Sequence, residues 1–388
     1  MPVPKALFLG AAVDTVKLMI AGQGTVLFDA SEPCTLRFTD TSGSGITVEF
    51  SETDVQAHLF PSLEPLIDPT NKQGLSKQKG AYYWVSIDAH NQRIQAGVGE
   101  ARFGTGIYSV QLENQKAFLE SLTAVKPRGA QIRSLLRDPI TGSVPLTVKP
   151  TDELTMDDIA AGAYMPVANL SLTSQKLYNC ISGKKFSLTT LDFPDFVKAI
   201  ERSIATPGLW CYERLKAKAN EFGKPNPEET YLRITLGENN GESPGVPYVM
   251  EIWPPGHYSP IHNHGGSSAV IRVLSGAINV SLFPFLGAAT AFAQASFKKE
   301  DVTWISPGLN QVHQLKNIGY ETCITIQCYM YETSDTKHYD YFDYLDMDYK
   351  VQKFEPDSDM DFLTFKETIR AEWVQRDTQP RWFRFSRF

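Results

Sequence analysis

Apolar and polar residues alternate in short runs through the first part of the chain, as in TVLFDA, TLRFTD and GITVEFS. Gly, Asn and Asp separate these runs at short intervals. A period of two with frequent turn residues is typical of the strands of a β-sandwich. We therefore predict a mainly β protein whose residues 1-150 form a β-sandwich-like N-terminal domain. Its expected role is binding or assembly, because no catalytic set of residues stands out there.

A different pattern follows a stretch rich in Pro, Gly, Thr and acidic residues between about 140 and 160, which we interpret as a linker. Apolar residues then recur at helical spacing from Ser187 to Phe222, and Pro207 and Gly208 divide this segment into two helices. From Thr230 onward the period returns to two, in TYLRITLG, PYVMEIW and ETCITIQCYMYE. We predict a second domain, residues 151-388, in which helices precede a β-barrel.

Composition excludes several classes of function. The chain has 388 residues, 42% hydrophobic residues and a formal net charge of -7. An acidic protein without a basic stripe is a poor binder of nucleic acid. No run of about 18 apolar residues is present, so we expect no membrane span. The five cysteines form no CxxC pair and no cleavage pattern follows the N-terminus. These features favour a reducing, cytoplasmic location.

The stretch PPGHYSPIHNHGG, residues 254-266, concentrates three of the seven histidines. Such a stretch is either a metal site or a His-rich surface loop. Five residues separate Gly256 from His262, one separates His262 from His264, four lead to Ala269, and six more lead to Gly276. This spacing is similar to the first signature motif of the cupin superfamily, in which many members have a glutamate at the position of Ala269. The resemblance implies a C-terminal cupin domain, a double-stranded β-helix or jelly-roll barrel.

A metal site needs donors that converge. On a strand, His262 and His264 would point to the same face, because side chains alternate with period two. His313, with Asn317 four residues later, lies where the second cupin motif supplies its histidine. With Ala269 in the motif, we predict a site of three neutral imidazoles that leaves coordination positions open. Both Fe(II) and zinc accept such a donor set.

The region from about residue 170 to 345 also resembles the cysteine dioxygenase family, which consists of thiol dioxygenases on a cupin barrel. The matching stretches are TYLRITLG, EIWPPGHYSPIHNHGGSSAVIRVLSG, VHQLKN and TIQCY. The resemblance implies that His262, His264 and His313 hold Fe(II). Residues 1 to about 150 lie outside it.

Further site residues follow from the same resemblance. Tyr231 and Arg233 match residues that line the substrate pocket, and Arg233 is expected to receive the carboxylate of the substrate, since a guanidinium pairs bidentately with that group. Tyr329 matches a tyrosine whose hydroxyl lies near the iron. Ala269 replaces a cysteine that links to this tyrosine in animal members, so no thioether can form. Gln327 is assigned to the substrate pocket, where the family usually has a histidine.

The resemblance implies a reaction in which L-cysteine and O2 give cysteine sulfinic acid, with the thiol and O2 as the small-molecule partners. The alternatives are a dioxygenase of another carboxylate thiol, such as 3-mercaptopropionate, and a metal-dependent lyase or isomerase. A non-enzymatic metal-binding cupin is the third. Neither the ligand of the N-terminal domain nor the oligomeric state follows from the sequence.

Overall fold

The computed structural model describes residues 5–9, 13–71, 73–238, 247–331 and 342–376. The chain divides into two compact units. The first contains Met1–Val144 and the later segment Phe283–Ala293, and the second contains Pro145–Leu282 and Gln294–Phe388.

The first unit is built from short antiparallel strands. Its elements are β1 (Ala6–Phe8), β2 (Val16–Lys17), β3 (Gln23–Asp29), β4 (Cys34–Thr39), β5 (Gly45–Phe50), β6 (Val55–Phe60), β7 (Pro65–Leu66), β8 (Tyr83–Asp88), β9 (Arg93–Val98), β10 (Gly106–Gln111), the helix α1 (Lys116–Ser121), β11 (Ala124–Arg128) and β12 (Gln131–Leu136). One sheet has the order β1-β12-β3-β8-β9-β10 and the other has the order β2-β11-β4-β5-β6-β7.

The two sheets of the first unit share one hydrophobic core. Phe28 of β3 and Phe50 of β5, which belong to different sheets, meet with ring centroids 5.2 Å apart in an edge-to-face contact. Tyr83 of β8 packs against both rings. Aromatic side chains of this size supply much of the burial that holds two sheets together. The predicted β-sandwich-like unit is confirmed.

The segment Phe283–Ala293 belongs to the first unit although it lies far along the chain. The carbonyl of Pro284 accepts a hydrogen bond from the backbone N–H of Glu100 at 2.7 Å. Phe285 is 3% exposed and is part of the core of the sandwich. The hydrophobic pattern did not indicate this insertion, because a short apolar loop segment carries no period.

The second unit begins with helices and continues as a barrel. Its elements are β13 (Thr147–Lys149), α2 (Met156–Ala161), β14 (Met165–Pro166), α3 (Leu172–Ile181), α4 (Phe196–Ala205), α5 (Trp210–Ala217), β15 (Leu232–Glu238), β16 (Pro247–Trp253), β17 (Ser268–Ser275), β18 (Ala277–Leu282), β19 (Ala293–Lys298), β20 (Val302–Ile305), β21 (His313–Lys316), β22 (Cys323–Met330), β23 (Phe342–Leu345), β24 (Val351–Phe354), β25 (Met360–Asp361) and α6 (Phe362–Gln375).

Strands of the second unit form a large sheet, a small sheet and a two-stranded hairpin of β23 and β24. The large sheet has the order β14-β13-β20-β17-β22-β16-β15-β25, and the small one has the order β19-β18-β21. Gly276 alone separates β17 from β18, which lie in different sheets. It has φ of 70°, and a Cβ there would lie 2.8 Å from the carbonyl oxygen of Thr322. Only glycine makes this sharp passage without strain, and the passage between sheets gives the predicted double-stranded β-helix.

Helices pack on the outside of the barrel. The predicted helical segment is confirmed as α4 and α5, which are separated at Pro207 and Gly208. Phe365 of α6 contacts Phe196 of α4 and Trp210 of α5 through edge-to-face ring contacts. Helix α6, which completes this cluster, was not predicted from the sequence. None of the helices in the described ranges is both long and apolar enough to cross a bilayer.

A buried carboxylate fixes the strand that carries the pocket residues. The side chain of Asp359 accepts hydrogen bonds from Arg214 Nε at 2.7 Å, from Lys218 Nζ at 3.0 Å and from the backbone N–H of Arg233 at 2.7 Å. Burial makes an unpaired carboxylate costly, and these donors compensate it. The network therefore joins α5 and the segment before β25 to β15.

Replacing Phe285 by Ala is expected to lower the free energy of unfolding of the first unit by about 3 to 5 kcal/mol, because a buried phenyl ring is replaced by a cavity. Chemical denaturation followed by circular dichroism measures this change. Phe8→Ala is the control, since Phe8 is 78% exposed. A loss below about 1 kcal/mol for Phe285→Ala would show that the segment is not part of the core.

Candidate metal centre

Backbone pairing brings the first and third histidines together. The backbone N–H of His262 donates to the carbonyl of His313 at 3.0 Å, and that of His313 donates to the carbonyl of His262 at 3.0 Å. The two residues are thus directly opposite each other in an antiparallel bridge. His313 is the first residue of β21. Their proximity is a consequence of main-chain pairing and not of side-chain packing alone.

The prediction that His262 and His264 lie on a strand is wrong. His262 forms only isolated bridges, and His264 lies in the irregular stretch before β17. The backbone N–H of Asn263 donates to the carbonyl of Asp343 at 2.9 Å. Gly265 and Gly266 have φ of 58° and 81°. Because these two glycines adopt the left-handed conformation, the chain turns here and does not continue as an extended strand.

The three imidazoles nevertheless converge. Their candidate donor atoms all lie within 4.8 Å of one another. The Nε2 atoms of His264 and His313 are 3.2 Å apart. The ring centroids of His262 and His313 are 4.6 Å apart. His264 and His313 are 4% and 2% exposed, whereas His262 is partly buried.

Two of the rings are oriented by hydrogen bonds to carbonyl groups. Nδ1 of His262 lies 3.0 Å from the carbonyl oxygen of Pro260, and Nδ1 of His313 lies 3.0 Å from that of Asn310. A carbonyl only accepts, so each Nδ1 carries the proton and each Nε2 presents a lone pair. This is the arrangement in which metal-binding histidines are held.

The imidazoles are neutral at physiological pH. Burial lowers the pKa of His262 to about 4 and that of His313 to about 3. The pKa of His264 is also lowered strongly, first by burial and then by its two neighbouring histidines. Neutral imidazole is the form that binds a metal ion.

The donor set fits a metal ion. The bare Nε2 atom of His313 lies 3.2 Å from Nε2 of His264, so either a proton carried by His264 or a cation lies between these two atoms. The Nδ1 atom of His264 is buried and has no hydrogen-bond partner among the described residues. Three neutral imidazoles can therefore hold a metal ion, and the identity of that ion is open between Fe(II) and zinc.

A buried ion pair lies on the wall of the same cavity. Arg233 of β15 is directly opposite Glu251 of β16, and its Nη1 atom donates to Glu251 Oε1 at 3.0 Å. Both residues line the cavity together with the three histidines. Burial raises the pKa of Glu251, and the attraction of Arg233 opposes that rise. For Arg233, burial acts to lower the pKa, but the neighbouring Tyr329 and Glu251 raise it overall, so the guanidinium stays charged.

Glu251 was not predicted as a site residue from the sequence. The signal was available, because a single carboxylate in the apolar strand YVMEIW shares a strand face with Val249 and Trp253. A charged residue at a position that patterning assigns to the interior indicates a partner or a site.

Tyr329 lies on β22 directly opposite Ala269 of β17. Its ring centroid is 5.5 Å from that of His264, and the guanidinium carbon of Arg233 is 5.8 Å from the centre of its ring. Burial raises the pKa of Tyr329 above its ordinary value, so the hydroxyl keeps its proton. The methyl group of Ala269 offers no sulfur for a covalent link.

Tyr231 and Gln327 also line the cavity. Tyr231 stacks on Trp253 with ring centroids 4.2 Å apart. Gln327 lies on β22, and its hydrogen bond to Glu251 acts to lower the pKa of that carboxyl group. The structure thus brings the seven predicted site residues to one cavity.

His257 lies on the loop before the histidine pair. Its Nδ1 atom is 2.9 Å from the carbonyl oxygen of Thr230 and 3.0 Å from the hydroxyl of the same residue. These contacts connect the loop to the start of β15, and His257 is not part of the histidine cluster.

The hairpin of β23 and β24 covers the cavity. Phe342 and Tyr344 of β23 and Phe354 of β24 line it, and the ring centroid of Phe342 is 4.5 Å from that of His264. The backbone N–H of Leu345 donates to the carbonyl of Ile261 at 2.8 Å. The cavity volume is about 20 Å³. This is room for about one water molecule, far below the roughly 300 Å³ of a small-molecule pocket.

Comparisons with known proteins match only part of the chain. No family model and no curated protein matches the chain. Among solved structures, the Schizosaccharomyces pombe Cnp3 cupin domain is 20% identical over 26% of this chain and 62% of its own length, with a TM-score of 0.22. A Klebsiella pneumoniae protein with a double-stranded β-helix domain is 22% identical over 30% of this chain and 90% of its own, with a TM-score of 0.22.

An oxalate oxidase in complex with the substrate analogue glycolate is 18% identical over 26% of this chain and 51% of its own length, with a TM-score of 0.22. The double-stranded β-helix fold of the second unit rests on its own strand order.

Replacing His313 by Ala is expected to weaken metal binding by more than about 100-fold, since loss of a direct ligand costs at least as much as loss of the group that orients it. Competition of added Fe(II), under anaerobic conditions, with a chromophoric chelator measures the affinity. His90→Ala, an exposed histidine of the first unit, is the control. Unchanged affinity in His313→Ala would place the metal elsewhere.

A second titratable group lies close to the cover of the cavity. Burial raises the pKa of Glu229 from 4.5 to about 7, and this carboxyl group interacts with Tyr344 of β23. The folded protein therefore binds the proton of Glu229 more tightly than the unfolded chain does. Stability from this group is present below pH 4.5 and is lost as the pH rises toward 7.

The variant Glu229→Gln stays neutral at every pH. Its melting temperature is expected to equal or fall slightly below that of the parent protein below pH 4.5 and to rise relative to the parent as the pH increases from 4.5 to about 7. Differential scanning calorimetry across this range tests the sign. Glu355→Gln is the control, since Glu355 is exposed. A melting-temperature difference that does not vary with pH would mean that folding does not raise the pKa of Glu229.

Proposed function

We propose that this protein is an Fe(II)-dependent thiol dioxygenase that converts L-cysteine and O2 to cysteine sulfinic acid. The observation that carries the proposal is the position of Arg233 and Tyr329 on the wall of the cavity that holds the three histidines. The sequence stretches that resemble the cysteine dioxygenase family contain these same residues. The thiol and O2 are then the small-molecule partners.

The balance of the reaction is simple. The thiol RSH and O2 combine to RSO2H, so both oxygen atoms go to sulfur, which loses four electrons while O2 gains four. When bound, Fe(II) would supply the open positions and the redox chemistry that join thiolate and O2. His262, His264 and His313 would hold it through their Nε2 atoms.

The residues of the chain supply binding and orientation. Arg233 binds the carboxylate of the substrate, which leaves the thiol directed toward the histidines. Tyr329 keeps its hydroxyl proton, because burial raises its pKa, and it donates a hydrogen bond toward the oxidised sulfur. Phe342 and Tyr344 exclude water from the closed cavity.

The small cavity favours a second candidate function. A volume of about 20 Å³ does not hold a thiol together with O2, so turnover requires the β23-β24 hairpin or its side chains to move. A non-enzymatic cupin, whose metal is structural, needs no such movement. Oxygen uptake separates the two candidates.

The proposed activity is tested by adding L-cysteine, 3-mercaptopropionate or cysteamine to the Fe(II)-loaded protein while following oxygen uptake. L-cysteine is expected to be consumed and to yield a product that contains both atoms of isotopically labelled O2, as mass spectrometry detects. Arg233→Gln is expected to raise KM by about 10- to 100-fold, since a charge-assisted hydrogen bond is lost.

Arg133→Gln is the matched control for that variant, because Arg133 forms a surface ion pair with Asp29 in the first unit. Absence of oxygen uptake with every thiol, in protein that carries one iron per chain, would refute the dioxygenase and favour the binding protein.

A further inference from the structure

The positive charge of Arg233 is already paired with the carboxylate of Glu251 in the pocket without substrate. Its Nη1 atom and Glu251 Oε1 are 3.0 Å apart, and the two residues are 7% and 4% exposed. Cross-strand pairing of β15 and β16 fixes them opposite each other. Both line the cavity. A ligand that reaches Arg233 therefore also reaches Glu251.

This pair changes what the pocket recognises. A carboxylate bound to the guanidinium lies close to the carboxylate of Glu251, and like charges at such distances repel strongly in a buried site. An ammonium group next to the ligand carboxylate cancels that repulsion, because it is attracted to Glu251. Opposite charges arranged side by side on the wall are complementary to the two charges of a zwitterion.

We propose that Glu251 makes this pocket selective for thiols that carry an ammonium group beside the carboxylate, so that an α-amino acid thiol is preferred to a plain thiol carboxylate. The inference rests on the proposed function, since it names the residue that would select its substrate. Arg233 binds the carboxylate of the substrate, and Glu251 binds its ammonium group. Gln327 holds Glu251 in place through a hydrogen bond.

A purely structural role for Glu251 predicts something different. If the carboxylate of Glu251 only holds the guanidinium of Arg233 in position, its removal weakens the binding of all carboxylate ligands equally. If Glu251 binds the ammonium group, its removal weakens the binding of the amino acid more than the binding of the plain thiol carboxylate. The ratio of two affinities separates these roles, whereas a single affinity does not.

The test compares L-cysteine with 3-mercaptopropionate, which differ only in the α-amino group. Isothermal titration calorimetry without O2 gives both dissociation constants for the iron-loaded protein. The parent protein is expected to bind L-cysteine at least about tenfold more tightly, and Glu251→Gln is expected to reduce this preference at least about tenfold. Glu251→Asp, which keeps the charge, is expected to retain the preference.

Glu300→Gln is the control. Glu300 also forms an ion pair with an arginine of the barrel, Arg272, but does not line the cavity. Equal preference in the parent protein and in Glu251→Gln, or tighter binding of 3-mercaptopropionate by the parent protein, would overturn the inference. Where Glu251→Gln does not fold, the parent comparison still overturns the inference if 3-mercaptopropionate binds as tightly as L-cysteine.

The two proposals fail in different ways. Binding without oxygen uptake, with a preference that depends on Glu251, refutes the dioxygenase and leaves the selectivity standing. Oxygen uptake with no dependence of the preference on Glu251 supports the dioxygenase and refutes the selectivity.

Discussion

The metal centre depends on one constraint, which is that three imidazoles must remain neutral while they are held within a few ångströms of one another. Burial achieves the first condition, because it lowers the pKa of His262 to about 4 and that of His313 to about 3. The reciprocal backbone hydrogen bonds between these two residues achieve the second. Carbonyl groups that accept from their Nδ1 atoms turn both Nε2 atoms toward the site.

The wall of the cavity carries two charged side chains that a three-histidine metal site does not require. The wall carries one guanidinium and one carboxylate, both buried and joined at 3.0 Å. A buried ion pair is weak evidence for stability, because desolvation offsets most of its attraction. Its position in a cavity beside the histidines suggests that it serves recognition. Asp359, in contrast, has three donors around it and links elements of the fold.

Much of the second unit could be predicted from the sequence because its features are local. The spacing of Gly256, His262, His264 and Gly276 needs only a short segment to be recognised, and period-two patterning predicts β15, β16, β17 and β22. The two helices around Pro207 and Gly208 follow from helical spacing. The irregular backbone at His264 was missed, although Gly265 and Gly266 form a local turn in which the backbone N–H of Ser267 donates to the carbonyl of His264 at 3.0 Å.

The sequence by itself indicated most types of element and the three histidines, and its resemblance to a known family indicated the pocket residues Tyr231, Arg233, Gln327 and Tyr329. Tertiary structure alone decided that Glu251 faces Arg233, that Phe285 packs in the core of the first unit, and that the β23-β24 hairpin covers the site. The physical reason is that hydrophobic patterning reports burial within one element. Which two distant elements meet depends on the pairing of strands and the packing of aromatic rings, and no short stretch of sequence encodes either.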